Sequence, residues 1–425
     1  MIVTIRKITE RMRRDGFIQA TGHICQVGAQ RAVNLPLRLK KQRDLVTNLP
    51  GRLDMVKNAY AENPQTYLSA VRKRTLAYVE SNHREDINMG AYSYKTGGPP
   101  ILYASCYAVL TRDLYGDLAD LSESQRQNWI SYIQAYQKDD GLFRDPVIDT
   151  PLADEIDWWG WRHLTLHVLM AMTALGGKVE KPFVFIKPFR KKGYMTTWLD
   201  TRNWKLDPAS VSNEVQNYAT VIQYARNFQH EDWCGDALKE MYDWLDKTQD
   251  PETGLWGNRY DDPVLLSNGV QTGYHLWLLY FYDRRPIQYQ ERIIDSCLKT
   301  QNRFGGFGVP LNSSACEDID SIDPLVRFSS MTDYRRADVL AALQEALPWI
   351  LVNMNADGGW VFRRYEAFQY GHQTMKATRE ESAMFPSWFR SLTLAYLAKV
   401  LEGSVMPNGH WRFLEGPGHQ FWIVP

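Results

Sequence analysis

Four short stretches decide the fold: Tyr136-Gln137-Lys138-Asp139-Asp140-Gly141-Leu142-Phe143, Gln249-Asp250-Pro251-Glu252-Thr253-Gly254-Leu255-Trp256, Gln301-Asn302-Arg303-Phe304-Gly305-Gly306-Phe307-Gly308 and Asn353-Met354-Asn355-Ala356-Asp357-Gly358-Gly359-Trp360. Each has an amide side chain, a short polar turn, a glycine and then an aromatic. From 249 to 301 and from 301 to 353 the step is 52 residues, and from 137 to 249 it is 112, room for one degenerate copy between. A weaker fifth copy begins at Ser81-Asn82-His83 and ends at Gly90-Ala91-Tyr92. Fixed spacing of this size marks stacked supersecondary units. The glycine is expected to close the preceding helix in a left-handed cap, and the amide to bond the backbone groups freed there.

A helix precedes each turn. Between Arg336 and Met354, Val339, Leu340, Leu343, Leu347, Ile350 and Leu351 fall at helical spacing. Residues 63–82, 122–138, 234–249 and 288–301 carry the same pattern. A second, more apolar and aromatic set is expected near 98–115, 157–175, 207–228, 268–285, 315–332 and 381–403. Two alternating sets of six predict an all-α fold: a single (α/α)6 toroid of about six helical hairpins, with the second set forming the inner wall. The stretch Pro182–Trp204 is the irregular point in that count. The expected division is a basic helical arm over 1–60 and the toroid over 61–425. The arm holds Arg6, Lys7, Arg11, Arg13, Arg14, Arg38, Lys40, Lys41 and Arg43. It reads as a solvated arm packed on the ring; the competing reading is peripheral contact with an anionic membrane.

Composition narrows the class. With 425 residues and 44% hydrophobic content, the chain can bury a large core. Lys+Arg and Asp+Glu are both 49, which gives no basic excess for a nucleic-acid partner. Five scattered cysteines without a CxxC pair fit a reducing, cytoplasmic setting. No signal peptide and no transmembrane run are read in the sequence. Fifteen Trp and 23 Tyr suit a pocket that holds sugars or cations against π-faces.

The candidate chemistry lies at the starts of the second helix set. Cys316-Glu317-Asp318-Ile319-Asp320-Ser321-Ile322-Asp323 places four carboxylates, Glu317, Asp318, Asp320 and Asp323, in seven residues opening an apolar helix. One or two can serve the helix N-terminus. Four should repel, so at least one is expected to keep its proton near neutrality and act as a general acid. Further helix starts add Asp154, Trp158, Trp161 and Arg162; Glu214 and Tyr218; Tyr274 and His275; Arg327; and Trp388 and Arg390 as substrate-binding residues. A zinc set drawn from Cys316, Asp318 or Asp320 and His372 lacks a close His/Cys pair. No Gly-rich phosphate loop appears. Neither metal nor cofactor is expected, and the partner is a small molecule.

The repeated turns resemble the QW motif of the terpenoid cyclase and protein prenyltransferase toroid superfamily, over about residues 63–403. Gln249 to Trp256 and, with Asn for Gln, Asn353 to Trp360 match best. Asp318-Ile319-Asp320-Ser321 resembles the DxDD acid motif of class II terpene cyclases, with Ser321 in place of the last Asp. The resemblance implies an α/α toroid in which Asp320 protonates an alkene or epoxide, Asp318 tunes it, and Trp158, Trp161, Tyr218, Tyr274 and Trp388 stabilise cationic intermediates. The expected function is therefore acid-initiated cyclisation or isomerisation of an isoprenoid. Polar residues, Arg162, Glu214, Arg327 and Arg390 among them, suggest instead a carbohydrate-active epimerase, lyase or glycosidase acting on an anionic saccharide. A binding scaffold without chemistry would leave the carboxylates with no task.

Overall fold

The computed structural model describes residues 43–148, 158–257, 260, 262–308, 310–401 and 411–423. The chain divides into two compact units, residues 1–54 and 55–425. The described part of the first, residues 43–54, is largely helical; the rest of the predicted basic arm, residues 1–42, lies outside the described residues, so its membrane reading is untouched.

The protein is mostly helical, and its sheet is one two-residue hairpin, β1 (Phe368–Gln369) with β2 (Lys376–Ala377). The helices are α1 (Leu49–Glu62), α2 (Pro64–Ser81), α3 (Leu102–Leu114), α4 (Glu123–Gln134), α5 (Trp161–Leu175), α6 (Tyr194–Asp200), α7 (Pro208–Phe228), α8 (Trp233–Thr248), α9 (Pro263–Tyr282), α10 (Gln290–Leu298), α11 (Ala315–Ser329), α12 (Arg336–Leu351) and α13 (Met384–Leu397). Local chemistry fixes several starts. Asn63 and Asp262 accept bonds from the first-turn amides, each followed by a proline at the first helical position. Ser122 with Gln125, and Ser314 with Glu317, form reciprocal capping boxes.

Burial separates two sets of helices. α2 buries one stripe: Leu68, Val71, Thr75, Tyr78 and Val79. Every residue of α13 is buried, and every residue of α11 but Cys316. A helix buried on all sides belongs to the interior. The interior helices pack in sequence, α3 on α5, α5 on α7, α7 on α9, α9 on α11, α11 on α13, and α13 on α3. α2, α4, α8, α10 and α12 lie against them from outside. The irregular stretch after Pro182 holds a 3-10 turn (Val184–Arg190) and the short α6, both packed on α8 in place of a full outer helix.

The turn amides tie neighbouring repeats together. Gln137 Nε2 donates to Gly141 O (3.1 Å) in its own turn and to Lys181 O (3.0 Å) in the next repeat. Gln301 Nε2 does the same with Gly305 O (3.0 Å) and Ala342 O (2.8 Å), and Gln249 with Gly254 O (2.8 Å) and Gln288 O (3.3 Å). Asn353 is too short for this and donates to Trp349 O (2.7 Å).

The glycines do not cap the helices. The caps are Ala135, Gln249, Lys299 and Val352, none of them left-handed. Each glycine serves instead where its turn meets the next repeat. Gly305 has φ 90°, and a Cβ there would stand 2.2 Å from Glu345 O of α12. Gly358 has φ 91°, with Arg74 O of α2 at 2.2 Å. The last turn thus abuts the first outer helix.

Residues 411–423 run into the interior. Gln420 and Phe421 are fully buried. Arg327 donates to Phe421 O (2.8 Å) and Ile423 O (2.7 Å), Trp388 Nε1 donates to Gln420 Oε1 (2.8 Å), and the Tyr396 hydroxyl donates to His419 O.

Candidate active site

A cavity of about 200 Å³ opens among α5, α7, α9, α11 and α13, the residues before α5, the hairpin loop and the C-terminal segment. Of the residues singled out in the sequence, Trp158, Tyr274, His275 and Asp320 line it. Cys316, one turn before Asp320, lines it too, as i and i+4 share a helix face.

The four carboxylates of α11 divide between two tasks. Asp318 is saturated: its Oδ1 accepts from Phe307 N (2.9 Å) and Ser313 Oγ (2.7 Å), its Oδ2 from Trp349 Nε1 (2.9 Å) and Arg390 Nη1 (2.5 Å). Burial pushes its carboxyl up, against the pull of Arg390 and these bonds. Glu317 closes the helix cap and pairs with Arg363 at 2.6 Å. Asp323 pairs with Arg327 at 2.6 Å, both side chains fully buried, and burial lifts its carboxyl to about 6.

Asp320 differs from all three. It is 3% exposed, and no hydrogen bond reaches its carboxyl among the described residues. Burial, then the charges of Glu317, Asp318 and Asp323, raise its pKa well above the usual carboxylate range. Both causes penalise the ionised form. Pro324 also lacks the amide that would bond the Asp320 carbonyl, so the helix ladder is open at this residue.

Four imidazoles share the lining with Asp320: His163 and His167 of α5, His275 of α9 and His419 of the C-terminal segment. Burial lowers all four pKa values; His167 and His275 fall to about 4, and His163 and His419 lie well below the usual value, with neighbouring imidazoles adding to burial. Burial thus favours the neutral form of all four. His163 is held from both sides, by the Tyr103 hydroxyl at Nδ1 (2.8 Å) and the Tyr370 hydroxyl at Nε2 (3.0 Å). His419 sits near Gln216 (3.4 Å) and stacks on Tyr274. Gln216, Gln271, Asn213 and Ser210 add polar edges, and Phe385 and Phe389 add apolar faces.

The other expected residues stand elsewhere. Arg327 and Arg390 do not reach the cavity. The first is enclosed by Phe281, Tyr396, Phe421 and Trp422 and anchors the C-terminal segment; the second neutralises Asp318. A guanidinium buried at these depths needs a partner, and each has an aspartate. Arg162 lies over Phe185 and Tyr218, Tyr218 packs on Phe189 and Trp198, and Glu214 bonds Arg202 at 2.8 Å. Trp161 is buried outside the lining; Trp388 packs behind it on His167 and Phe389. Asp154 lies outside the described residues. Cys316 and Asp320 share the cavity while His372 instead bonds Thr374, and no group of three His, Cys, Asp or Glu among the described residues is arranged to hold a metal ion.

Of the four imidazoles, the sequence pointed to His275 alone. His163 and His167 at i and i+4 on one apolar helix were a local signal. His419 and Tyr370 had none, because a distant segment and a hairpin loop deliver them. No family model matches this chain, and no curated protein is significantly similar to it. No described helix is long and apolar enough to cross a membrane.

Proposed function

We propose that residues 61–425 form an (α/α)6 toroid and that its cavity houses an acid-initiated isomerase or cyclase, with Asp320 as the proton donor. The cyclic packing of the six interior helices supports the toroid. One observation carries the chemistry: Asp320 is a buried carboxyl without a protein hydrogen bond among the described residues, it lines the cavity, and burial and its acidic neighbours favour its protonated form. A carboxylic acid kept neutral can deliver its proton to an alkene, an epoxide or an enol ether. Tyr274, Phe385, Phe389 and Trp158 offer π-faces to the resulting cation. An isoprenoid is the substrate class this reading favours.

The polar edges of the wall support a second reading, a carbohydrate-active enzyme. Gln216, Gln271, Asn213 and the imidazoles would suit a hydroxylated ring. Among the described lining residues Asp320 is the only carboxyl, so this reading favours proton-transfer chemistry, an epimerase or lyase, over a two-carboxylate glycosidase. Arg327 and Arg390, being paired, are not available to a uronate.

Turnover by wild type and Asp320→Asn on prenyl substrates (diphosphates and epoxides) and on uronate-containing oligosaccharides tests both. Prenyl product that falls at least ~100-fold in the variant is the expected result. Sugar turnover alone would transfer the assignment to carbohydrate chemistry.

A further inference from the structure

We infer that His167 is the proton acceptor of the cavity, taking up through Nε2 the proton that a substrate loses after Asp320 has delivered one. The inference rests on the acid reading of Asp320 and adds the second half of the reaction.

The tautomer follows from one hydrogen bond. His167 Nδ1 lies 2.8 Å from the carbonyl oxygen of His163, one turn earlier on α5. A carbonyl only accepts, so Nδ1 carries the proton and Nε2 carries the lone pair. The one hydrogen bond the ring makes among the described residues is at Nδ1, which leaves Nε2 open, and the ring lines the cavity. The ring itself cannot swing freely. It stands edge-on to Tyr107 and Trp388, and His163 packs against it with centroids 4.4 Å apart.

The neighbouring imidazoles are less suited. His163 has hydroxyls on both nitrogens, and His419 is engaged by Gln216 and lies against Tyr274. His275 has Ser212 at its Nδ1 (3.1 Å), while Ser212 donates to Ala209 O (3.0 Å). His275 therefore offers a lone pair as well, and it is the control for the assignment. The groups against His167 are Tyr103 and Tyr107 from α3, His163 from α5 and His419 from the C-terminal segment, and Asp320 lines the same cavity. No lysine or arginine is among the described lining residues. The acid and the base thus line one enclosure, and burial disfavours the charged form of each.

The sequence of bonds balances without an oxidant or a second reactant. The Asp320 O–H bond breaks and its electron pair stays on the carboxylate. The π pair of a substrate C=C forms the new C–H bond and leaves a cation. A C–H bond next to that cation then gives its proton to His167 Nε2, and its electron pair becomes the new C=C. The product is an isomer of the substrate, ended by deprotonation and not by capture of water. Return of the proton from the imidazolium to the carboxylate resets the site.

A probe that needs only a base tests this without the natural substrate. 5-Nitrobenzisoxazole loses its C3 proton to a general base; the N–O bond breaks in the same step and a coloured phenolate forms. The full-length wild type should catalyse this opening, His167→Gln should lose about a hundredfold, and Asp320→Asn and His275→Gln should keep most of the rate. Equal rates in wild type and His167→Gln, loss confined to His275→Gln, or no rate above background in the wild type would each overturn the inference. Nitrogen-15 spectra of histidine-labelled wild type give a check that needs no variant: His167 should show a protonated Nδ1 and a bare Nε2, and the opposite tautomer would also overturn it. Loss of prenyl turnover in His167→Gln, with unaltered turnover in Asp320→Asn, would instead refute the acid reading and leave the base standing.

Discussion

At the scale of single residues, the contrast between Asp318 and Asp320 explains why one cluster of acids serves two ends. Two positions apart on a helix, they point to different sides. Asp318 meets Arg390 and Trp349; Asp320 meets the cavity. Being raised, the Asp320 pKa has a consequence for stability with a definite sign. The folded protein holds this proton more tightly than the unfolded chain does, so ionisation costs the native state. The cost is present above the folded pKa, fades as pH falls through it, and is absent below the unfolded value of about 3.9. Asp320→Asn should therefore melt higher than wild type at pH 8, by at least about 1 kcal/mol of stability, with the gap closing toward pH 4. Calorimetry across that range checks it. Activity has the complementary shape: it fails at high pH as Asp320 ionises and at low pH near 4 as His167 gains a proton. The alternation of 318 and 320 was legible in the sequence once placed on a helix. The partners of Arg327 and Arg390 were half legible: Asp323 is one turn before Arg327, but Asp318 and Arg390 are brought together only by packing.

At the scale of elements, the eleven helices given ranges from the sequence fall near their expected places, and α6 with a 3-10 turn stands where the degenerate repeat left room for a twelfth. Apolar spacing reports which face a helix buries, and that signal survives when the turn chemistry is misjudged. The glycines were such a misjudgement. A left-handed glycine after a helix usually caps it; here the cap is complete before the glycine, which instead lets the next repeat's backbone approach. The two features of the turn should then fail differently. Gln301→Ala removes two bonds, one within the turn and one to Ala342 O of the next repeat, a loss of about 1–3 kcal/mol. Gly305→Ala meets both a positive φ and a backbone oxygen at 2.2 Å, and should cost more. Urea unfolding of the pair gives the order, and an equal or reversed order would show that the glycine is not held by its neighbour.

At the scale of the molecule, the repeat count led to the expectation of a toroid, but no local pattern named the contacts between the first and last repeats. Nothing local links Gly358 to Arg74, or α13 to α3, or His419 to an acid a hundred residues earlier. These contacts depend on the sum of small rotations from repeat to repeat. Because the first and last repeats touch, the domain has no free end from which to fray, unlike an open repeat array. The buried Phe421 joins this closure from the centre. Phe421→Ala should cost about 3–5 kcal/mol, in one cooperative transition seen alike by tryptophan fluorescence and circular dichroism. Two separated transitions would mean that the C-terminal segment melts alone.

The burial of residues 411–423 also sets a timetable. Synthesis runs from the N-terminus at ~5–20 residues per second, and domains fold as they emerge. Here the chamber has no finished wall until Gln420 and Phe421 have left the ribosome, because Arg327 and Trp388 are waiting for them. Most of the helices must therefore wait as an incomplete bundle, with Arg327 still lacking the carbonyls of Phe421 and Ile423. A chain that stopped before residue 411 would lack this piece of the interior.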